Sequence, residues 1–446
     1  MSLTLQREQP VTTPPEAGYR PGAVVDIDVA AGIADIPAVD GQGVRRDRAW
    51  VLIRVFGEPL GHLELPISGD VLAAERIAAA ADAAFGGLIR DRVEAAGGTL
   101  AGVPTEGVVV PQVPRHLAER EEALLGAPSI AVVVATRNRP ATLARSLRAL
   151  LGQQYPRFRV IVVDNAPTDD LTRACVAALA DERLTYIMER RPGLSWARNC
   201  GIRAAGEDVV AFLDDDELPD EHWLAEIARG FWRHPQADVV TGVIVPAELD
   251  TYPQDLFERL GGHSKGRGFR PAVFSPETAA QQSPLYPLPP FGAGGNMAIR
   301  RSCFAGPEAF DVALGAGTPA CGAEDTQMLT RILLAGGTIV YQPSALVWHS
   351  HHRTMAALET VMRGYGTGLT AYYTSLLLDR PGRIVQLARL VPSALRDLAG
   401  RDARSLGAGG DTVPRPLTAA NRRGLLTGPY RYLRSRAKAR ALRKQV

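Results

Sequence analysis

A run of four acidic residues directly follows an apolar stretch in the middle of the sequence. Residues 209–213 read VVAFL and residues 214–217 read DDDE. Two like charges about 4 Å apart repel by roughly 4 kcal/mol at an effective dielectric of about 20, so this cluster is either solvated or neutralised by a cation. Carboxylate oxygens suit Mg²⁺ and Mn²⁺, and such a metal would in turn neutralise a diphosphate. The alternative is the acidic start of a helix, because a helix is predicted from about Pro219.

Other candidate side chains stand at the ends of predicted strands or the starts of predicted helices. Asp164 follows the buried run VIVV and could accept a hydrogen bond from a nucleobase or a ribose hydroxyl, or cap the next turn. Arg191 and Arg198, in ERRPGLSWARNCG, could bind phosphate oxygens through planar guanidinium groups, or remain solvated. Glu324 and Asp325 begin an amphipathic helix, where a carboxylate is either a general base or a charge that favours the helix dipole.

Histidines cluster at the end of a late predicted strand, in YQPSALVWHSHHR. The two-residue period of a strand places His349 and His351 on one face, beside the adjacent His352. A neutral imidazole there could complete the coordination begun by the aspartates. A zinc site is the alternative, but a further Cys/His pair at suitable spacing is lacking.

The elements that must position these residues alternate between strands and helices from Ser129 onward. This rhythm predicts an α/β fold with a mostly parallel sheet covered by helices on both faces. Three predicted strands end in polar residues, at positions 136–138, 164–165 and 214–216. Because ligands bind beyond the carboxyl ends of strands in open parallel sheets, we expect these termini to converge on one crevice.

The flanks have a different character, and we predict three domains. Residues 1–125 form a small α+β unit and linker, with two strands around a GEPLG turn and an Ala-rich helix from about Val71 to Ala96. Residues 126–352 carry the candidate site, and residues 353–446 form a helical, Arg-rich extension. Its tail has no acidic residue between Arg422 and Lys444, and predicts either a helix lying on anionic lipid or a solvated, partly disordered cationic helix.

Composition narrows the class of protein. The 446 residues carry 50 Lys and Arg against 48 Asp and Glu, a formal charge of +2, which excludes a strongly basic nucleic-acid binder. The four cysteines show no CxxC spacing, and no signal-peptide pattern or apolar span of about 18 residues is present. We therefore expect a cytoplasmic protein, with peripheral attachment to the inner face of the membrane if the tail binds lipid.

Taken in order, seven segments resemble those of a family-2 glycosyltransferase with the GT-A fold. They are VVVATRNRP, VVDNAPTDD, GLSWARNCGI, the DxD motif in FLDDDE, GGNMAIRR, GAEDTQML and the late histidine in VWHSHH. The resemblance covers roughly residues 128–352.

The resemblance implies roles for individual residues. The candidate residues for binding the donor nucleotide are Thr136, Arg137, Asp164, Arg191, Arg198, Asp214 and Asp215. The candidate ligands of Mg²⁺ or Mn²⁺ are Asp214, Asp216 and His349. The candidate catalytic residues are Glu324 and Asp325, of which Asp325 matches the expected base.

The implied reaction is an inverting displacement on a nucleoside diphosphate sugar. The acceptor is a hydroxyl of a glycan, a glycolipid or a small molecule, and family relatives often act in cell-envelope polysaccharide or glycolipid biosynthesis. The first alternative is a sugar nucleotidyltransferase. Such an enzyme needs a glycine-rich, basic segment near the first strand to hold a triphosphate, and ATRNRPATLARS has no glycine. A non-catalytic sugar-nucleotide-binding or scaffold protein is the second, and the presence of both Asp325 and the DxD motif disfavours it.

Overall fold

The first part of the chain is a small sheet packed against one long helix. A computed structural model describes residues 19–264, 267–281, 285, 291–304, 309–389, 392, 405–406 and 411–444. Its first elements are β1 (Gly22–Asp28), β2 (Ile36–Pro37), β3 (Arg48–Val55), β4 (Glu58–Pro66), β5 (Val71–Leu72), α1 (Ala74–Ala95) and α2 (Arg115–Leu125). Strand β3 lies between a parallel β1 and an antiparallel β4, and β2 pairs with β5.

The hairpin between β3 and β4 turns earlier than the sequence predicted. Val55 pairs with Glu58, so the turn consists of Phe56 and Gly57, with φ of 51° and 81°. Two central residues with positive φ suit the tight turn of a twisted hairpin, and glycine adopts this conformation without a Cβ clash. The predicted GEPLG turn was therefore wrong, because residues 58–61 already belong to β4.

A large mixed sheet forms the centre of the protein. Its strands are β6 (Ile130–Thr136), β7 (Phe158–Asn165), β8 (Leu184–Glu189), β9 (Val209–Asp214), β11 (Val239–Thr241), β13 (Ala272–Phe274), β14 (Met297–Arg300) and β15 (Ile339–Tyr341). They lie in the order β13-β15-β11-β14-β9-β6-β7-β8, with β9, β6, β7 and β8 all parallel. Apolar clusters fill both faces of this sheet, which confirms the predicted α/β architecture.

The helices that accompany this sheet follow the predicted alternation. They are α3 (Pro140–Leu151), α4 (Leu171–Leu179), α5 (Leu194–Ala204), α6 (Trp223–Arg233), α7 (Tyr252–Arg259), α8 (Pro276–Gln281) and α9 (Glu324–Leu334). Helix α3 has Pro140 at its first position, where a missing N–H costs no hydrogen bond.

A second, smaller sheet stands beside the acidic cluster. It has the order β10-β16-β12, where β10 is Glu217–Pro219, β12 is Ile244–Pro246 and β16 is Val347–His349. The prediction of a helix from Pro219 was wrong, since this proline ends β10 and α6 begins only at Trp223. Antiparallel pairing places Glu217 directly opposite His349.

The N-terminal sheet packs against this smaller sheet. Trp50 and Leu52 of β3 share a buried cluster with Val245, Leu346 and Trp348. Ion pairs join the same parts of the chain: Arg54 lies 2.6 Å from Asp220, and Arg46 lies 2.9 Å from Asp250. The face of β3 that turns away from α1 therefore supports the strand that carries His349.

The C-terminal part consists mainly of two long helices in close contact. Its elements are α10 (Met355–Asp379), α11 (Ile384–Ala388), the paired β17 (Ser405–Leu406) and β18 (Asp411–Thr412), and α12 (Arg415–Arg443). A Cβ atom on Gly366 would overlap the carbonyl oxygen of Asn421, and one on Gly424 would overlap that of Arg363. Glycine thus lets α10 and α12 approach closely, and one face of the cationic tail is packed. Within the described part of the chain, no helix is both long and apolar enough to span a bilayer.

Candidate functional site

The carboxyl ends of three parallel strands meet at one edge of the central sheet, as predicted. Strand β6 lies between β7 and β9, with Thr136 paired in register with Asp164 and Ala135 with Asp214. The acidic cluster therefore stands beside the candidate nucleotide-binding residues.

The acidic cluster is held by an arginine that the sequence analysis overlooked. Asp215 accepts hydrogen bonds from Thr136 Oγ1 and Arg139 Nη1, each at 2.6 Å. Arg139 Nη2 also donates to Asp216 at 3.0 Å. Arg137, the predicted donor-site arginine, is exposed. Both arginines stand in the same RNR triplet, and the sequence holds no spacing signal that distinguishes them.

Burial makes this cluster electrostatically uneven. It raises the pKa of Asp215 to about 7, although Arg139 opposes the shift. It raises the pKa of Glu217 well above the ordinary value, and the neighbouring aspartates add to this effect. For Asp216, burial acts in the same direction, but the positive charge and hydrogen bond of Arg139 oppose it, and the pKa is lowered. Asp216 is thus the carboxylate of the cluster whose pKa is shifted toward the ionised form.

A buried arginine links the acidic cluster to the start of α9. Arg198 is only 2% exposed. Its Nη2 atom donates to Asp214 Oδ1 and to the carbonyl oxygen of Gly294, each at 3.1 Å. Its Nη1 atom donates to Glu324 Oε1 at 2.7 Å, and the N–H of Gly294 donates to Asp325 Oδ2 at 2.8 Å. The DxD aspartate, the glycine loop and the candidate base thus form one connected site.

The glycine loop fits between the site residues because it has no side chains. A Cβ on Gly294 would lie 2.9 Å from Cβ of Asp325 and 3.0 Å from Arg198 Nη1. A Cβ on Gly295 would overlap the carboxylate of Glu217. The close approach of backbone that the sequence predicted here is therefore present.

The two carboxylates at the start of α9 have different surroundings. Glu324 is buried, which raises its pKa to about 7 even though Arg198 opposes the shift. Asp325 is half-buried, and its Oδ1 accepts the N–H of Thr326 at 2.6 Å. The same Oδ1 accepts from the hydroxyl of Thr326 at 3.2 Å. Asp325 is the more accessible of the two carboxylates, and its Oδ2, which accepts from the Gly294 N–H, retains a further lone pair.

Asp164 carries a buried acceptor atom that still needs a donor. Its Oδ2 accepts from the hydroxyl of Tyr186 at 2.9 Å. Its Oδ1 is buried and has no hydrogen-bond partner among the described residues. Burial raises the pKa of this carboxyl. Since buried polar atoms are almost always paired, a donor from a bound ligand would satisfy Oδ1.

Part of the chain matches a known protein family. Residues 131–305 match the family model described as glycosyl transferase family 2. Residues 131–305 therefore resemble a glycosyl transferase family 2 domain. This match confirms the family recognised from the sequence motifs, and with it the GT-A type of α/β fold.

Among curated proteins, the chain is similar to a glycosyltransferase and to a polysaccharide biosynthesis protein. It is 30% identical over 227 residues to the pre-mycofactocin glycosyltransferase of Mycobacterium tuberculosis, covering 50% of this chain and 43% of that protein. It is 30% identical over 232 residues to the succinoglycan biosynthesis protein ExoM of Rhizobium meliloti, covering 49% of this chain and 65% of that protein. The matched part is thus less than two thirds of either relative.

A solved structure is also similar. It is a mannosyltransferase from Pyrobaculum calidifontis in complex with GDP-Man and Mn²⁺, with 20% identity and a TM-score of 0.41, covering 71% of this chain and 76% of that one.

Arg191 of this glycosyltransferase domain is held by neighbours on β8 and α5. Its guanidinium forms two hydrogen bonds with Glu189, at 2.9 and 2.7 Å, and its Cζ lies 4.0 Å from the ring centroid of Trp196. Asn165 Nδ2 donates to its carbonyl oxygen at 2.8 Å. Arg191 is thus fixed just after the end of β8, one strand away from Asp164.

His349, the histidine predicted as a metal ligand, lies beside the acidic cluster. His349 Nε2 lies 3.5 Å from Asp216 Oδ1. Burial lowers the pKa of His349 to about 3, which keeps its imidazole neutral and able to ligate a metal. Asp216 and this imidazole therefore suit a shared divalent cation. Among the described residues, the carboxylate of Asp214 bonds to Arg198 and does not lie within 4.8 Å of both of them.

Two further residues near His349 were not found from the sequence. His351 Nδ1 lies 2.8 Å from His349 Nδ1, and His351 Nε2 lies 2.7 Å from Glu258 Oε1. A nitrogen of His263 lies within 4.8 Å of nitrogens of both histidines. Glu258 and His263 come from a weakly patterned stretch far along the chain from His349, so only the fold reveals their proximity.

Proposed function

We propose that this protein transfers a glycosyl residue from a nucleoside diphosphate sugar to an acceptor hydroxyl, with inversion at the anomeric carbon. The observation that supports it most is the hydrogen-bonded path from Asp214 through Arg198 and Gly294 to Asp325. It joins the residues suited to a diphosphate with a carboxylate suited to deprotonate an acceptor. A non-catalytic binding protein would not need both ends of this path.

The donor nucleotide would lie beyond β6, β7 and β9. Asp164 Oδ1 would accept a hydrogen bond from the base or the ribose, which supplies the missing donor for this buried atom. Thr136 and Arg137, with Arg191 and Asp215, would complete the nucleotide side. Arg198 would favour the leaving diphosphate by placing positive charge beside it.

Asp214, Asp216 and His349 would hold the divalent metal. When bound, Mg²⁺ or Mn²⁺ would neutralise charge on the diphosphate. Arg139 orients the Asp216 carboxylate through its hydrogen bond.

Asp325 would act as the general base. It would take the proton from the acceptor hydroxyl as that oxygen attacks from the face opposite the leaving group. The Gly294 N–H orients the carboxylate. Glu324, buried against Arg198, would fix the arginine and so act through it.

The acceptor is proposed to be a hydroxyl of a glycan, a glycolipid or a small molecule. The name of the rhizobial relative, which refers to succinoglycan biosynthesis, supports a polysaccharide of the cell envelope. The catalytic domain would be residues 126–352, with residues 1–125 supporting it and residues 353–446 forming the helical extension.

A thermal-shift screen would test the donor site. UDP-, GDP- and dTDP-sugars would be added to the wild type and to Asp216→Asn, with and without Mn²⁺. We expect one nucleotide class to stabilise the wild type in a metal-dependent way, and this effect to be lost in the variant. No response to any nucleotide would contradict the proposal.

A product assay distinguishes glycosyl transfer from nucleotidyl transfer. We expect the donor to release a nucleoside diphosphate when the acceptor is present. Formation of a sugar nucleotide from a nucleoside triphosphate and a sugar phosphate would instead favour the sugar nucleotidyltransferase.

We also propose peripheral contact between α12 and an anionic lipid surface at the inner face of the membrane. Leu426, Tyr430 and Leu433 are 83%, 68% and 52% exposed and recur at helical spacing on one face. No acidic residue occurs from Arg415 to Lys444. An exposed apolar stripe among cations matches the chemistry of an anionic lipid–water interface.

Vesicle sedimentation would test this surface. The full chain should bind phosphatidylcholine vesicles that contain phosphatidylglycerol, and bind less in salt or without the anionic lipid. The double variant Leu426→Ser/Leu433→Ser should lose binding. Leu125→Ser, which changes a leucine that is 89% exposed at the end of α2, is the matched control. Equal binding by both variants would overturn the assignment.

A further inference from the structure

A chain of hydrogen bonds runs from Glu258 through His351 to His349. Glu258 Oε1 lies 2.7 Å from His351 Nε2, and His351 Nδ1 lies 2.8 Å from His349 Nδ1. His351 is 3% exposed and His349 is 8% exposed. The other ring nitrogen of His349, Nε2, faces Asp216 Oδ1 at 3.5 Å.

The acceptor at one end of this chain determines where each proton lies. An ionised carboxylate can only accept, so His351 Nε2–H donates to Glu258. A neutral His351 then presents a lone pair at Nδ1, and His349 must donate to it through Nδ1–H. His349 Nε2 consequently carries no proton and points a lone pair at Asp216.

The distances favour this arrangement over its opposite. If His351 carried both protons, His349 would accept at Nδ1 and donate from Nε2–H to Asp216. The 3.5 Å separation from Asp216 is longer than an N–H···O hydrogen bond, whose usual length is about 2.9 Å. The other two contacts are both of hydrogen-bond length. Two acceptors that face each other, His349 Nε2 and Asp216 Oδ1, form a site for a cation.

We propose that Glu258 and His351 are positioning residues that fix the tautomer of His349, so that Nε2 is ready to bind the divalent cation shared with Asp216. This inference rests on the proposed function, because it takes His349 as a metal ligand. A hydrogen-bonded second residue commonly sets which nitrogen of a histidine is free to bind metal.

The first test reads the tautomer without metal or activity. Long-range ¹H–¹⁵N NMR on the metal-free, histidine-labelled full chain distinguishes Nδ1–H from Nε2–H, with His349→Phe assigning the signals. We expect Nδ1–H at His349 in the wild type, and a mixture of both forms in Glu258→Ala. A wild type with Nε2–H at His349 would overturn the proposal.

The second test reads metal affinity in a matched set of variants. Mn²⁺ is titrated calorimetrically in the presence of GDP or UDP. His351→Phe removes the acceptor for His349 Nδ1–H, and affinity should fall about 10-fold to 100-fold. His351→Gln, whose amide oxygen can accept the same hydrogen bond, should restore most of it. His234→Phe changes a partly exposed histidine just after the end of α6 and should leave affinity unchanged.

The outcomes separate this inference from the proposed function. If the wild type shows Nδ1–H at His349 but binds no Mn²⁺ with either nucleotide, the metal part of the proposed function fails. If Mn²⁺ binds and His351→Phe binds it as well as the wild type, the positioning role fails. Stoichiometric Zn²⁺ bound to His349 Nδ1 and lost in His263→Ala would also overturn it, since the cluster would then be a zinc site in itself.

Discussion

Arg198 Nη1 lies 2.7 Å from Glu324 Oε1, and both side chains are buried. Removing one member of a buried ion pair leaves an uncompensated charge, which costs about 3–5 kcal/mol. We therefore expect Arg198→Met to lower the free energy of unfolding by about that amount in chemical denaturation. Arg198→Met/Glu324→Gln should recover the part of the loss that comes from Glu324, whereas the Asp214 carboxylate still lacks its arginine partner. A double variant as unstable as the single one would contradict this account.

Glu324 should also make stability depend on pH. Burial raises its native pKa from about 4.5 to about 7, so the native state binds more protons than the unfolded state between these values. The stability of the wild type should therefore fall as pH rises from about 4.5 to about 7, relative to that of Glu324→Gln. Thermal unfolding of both proteins across this range measures the difference. A constant gap between them would show that Glu324 ionises normally.

Two single substitutions should separate binding from chemistry. Asp216→Asn and Asp325→Asn should each nearly abolish transfer, and loss of a general base alone is worth about 100-fold to 10,000-fold in rate. Asp216→Asn should also lose the metal-dependent stabilisation by donor, whereas Asp325→Asn should keep it, because the proposed partner of Asp325 is the acceptor and not the donor. Activity is measured as nucleoside diphosphate release, and donor binding is measured by thermal shift. Full activity in either variant would remove that residue from its role.

The neighbouring arginines of the RNR triplet should behave differently. Arg139 bonds to Asp215 and Asp216, whereas Arg137 is exposed. Arg139→Ala should raise the Mn²⁺ concentration needed for half-maximal activity, because Asp216 is no longer oriented. Its effect on stability should be about 1 kcal/mol or less, since the arginine is partly solvated. Arg137→Ala, at a residue proposed for the nucleotide, should instead weaken donor binding, and an equal change in the Mn²⁺ requirement of both variants would mean that net charge alone matters.

The contact between α10 and α12 should be sensitive to a single methyl group. Gly424→Ala places a Cβ against the carbonyl oxygen of Arg363, and overpacking of this kind costs about 1–3 kcal/mol. Gly206→Ala meets no atom within 4 Å and is the control. Hydrogen exchange should increase in α10 and α12 of the first variant only. Unchanged protection would indicate that the helices can separate without loss.

Much of the fold could be predicted from local patterns. The apolar runs before Thr136, Asp164 and Asp214 identify adjacent strands, and parallel pairing then brings their ends together. Pairing between distant segments could not be read in this way. Glu217 to Pro219 resemble the start of a helix, but hydrogen bonds to residues 347–349 make them a strand.

The site shows the same limit at the level of side chains. Asp216, His349 and Asp325 could be proposed from the sequence because each stands in a motif. Arg139 and Glu258 could not be proposed in this way, because only the tertiary structure gives them their partners. The period of two residues did foresee that His349 and His351 lie together, although β16 ends at His349.

The packing of Trp50 against the sheet that bears His349 has a consequence for how the protein can be divided. Residues 126–352 look self-contained in the sequence, but expressed alone they would expose Val245, Leu346 and Trp348 to water. An exposed apolar patch of this kind promotes aggregation. Strand β16, which carries His349, would also lose its packing against β3. Residues 19–125 therefore belong to the same folding unit as the candidate site, whatever further task they perform.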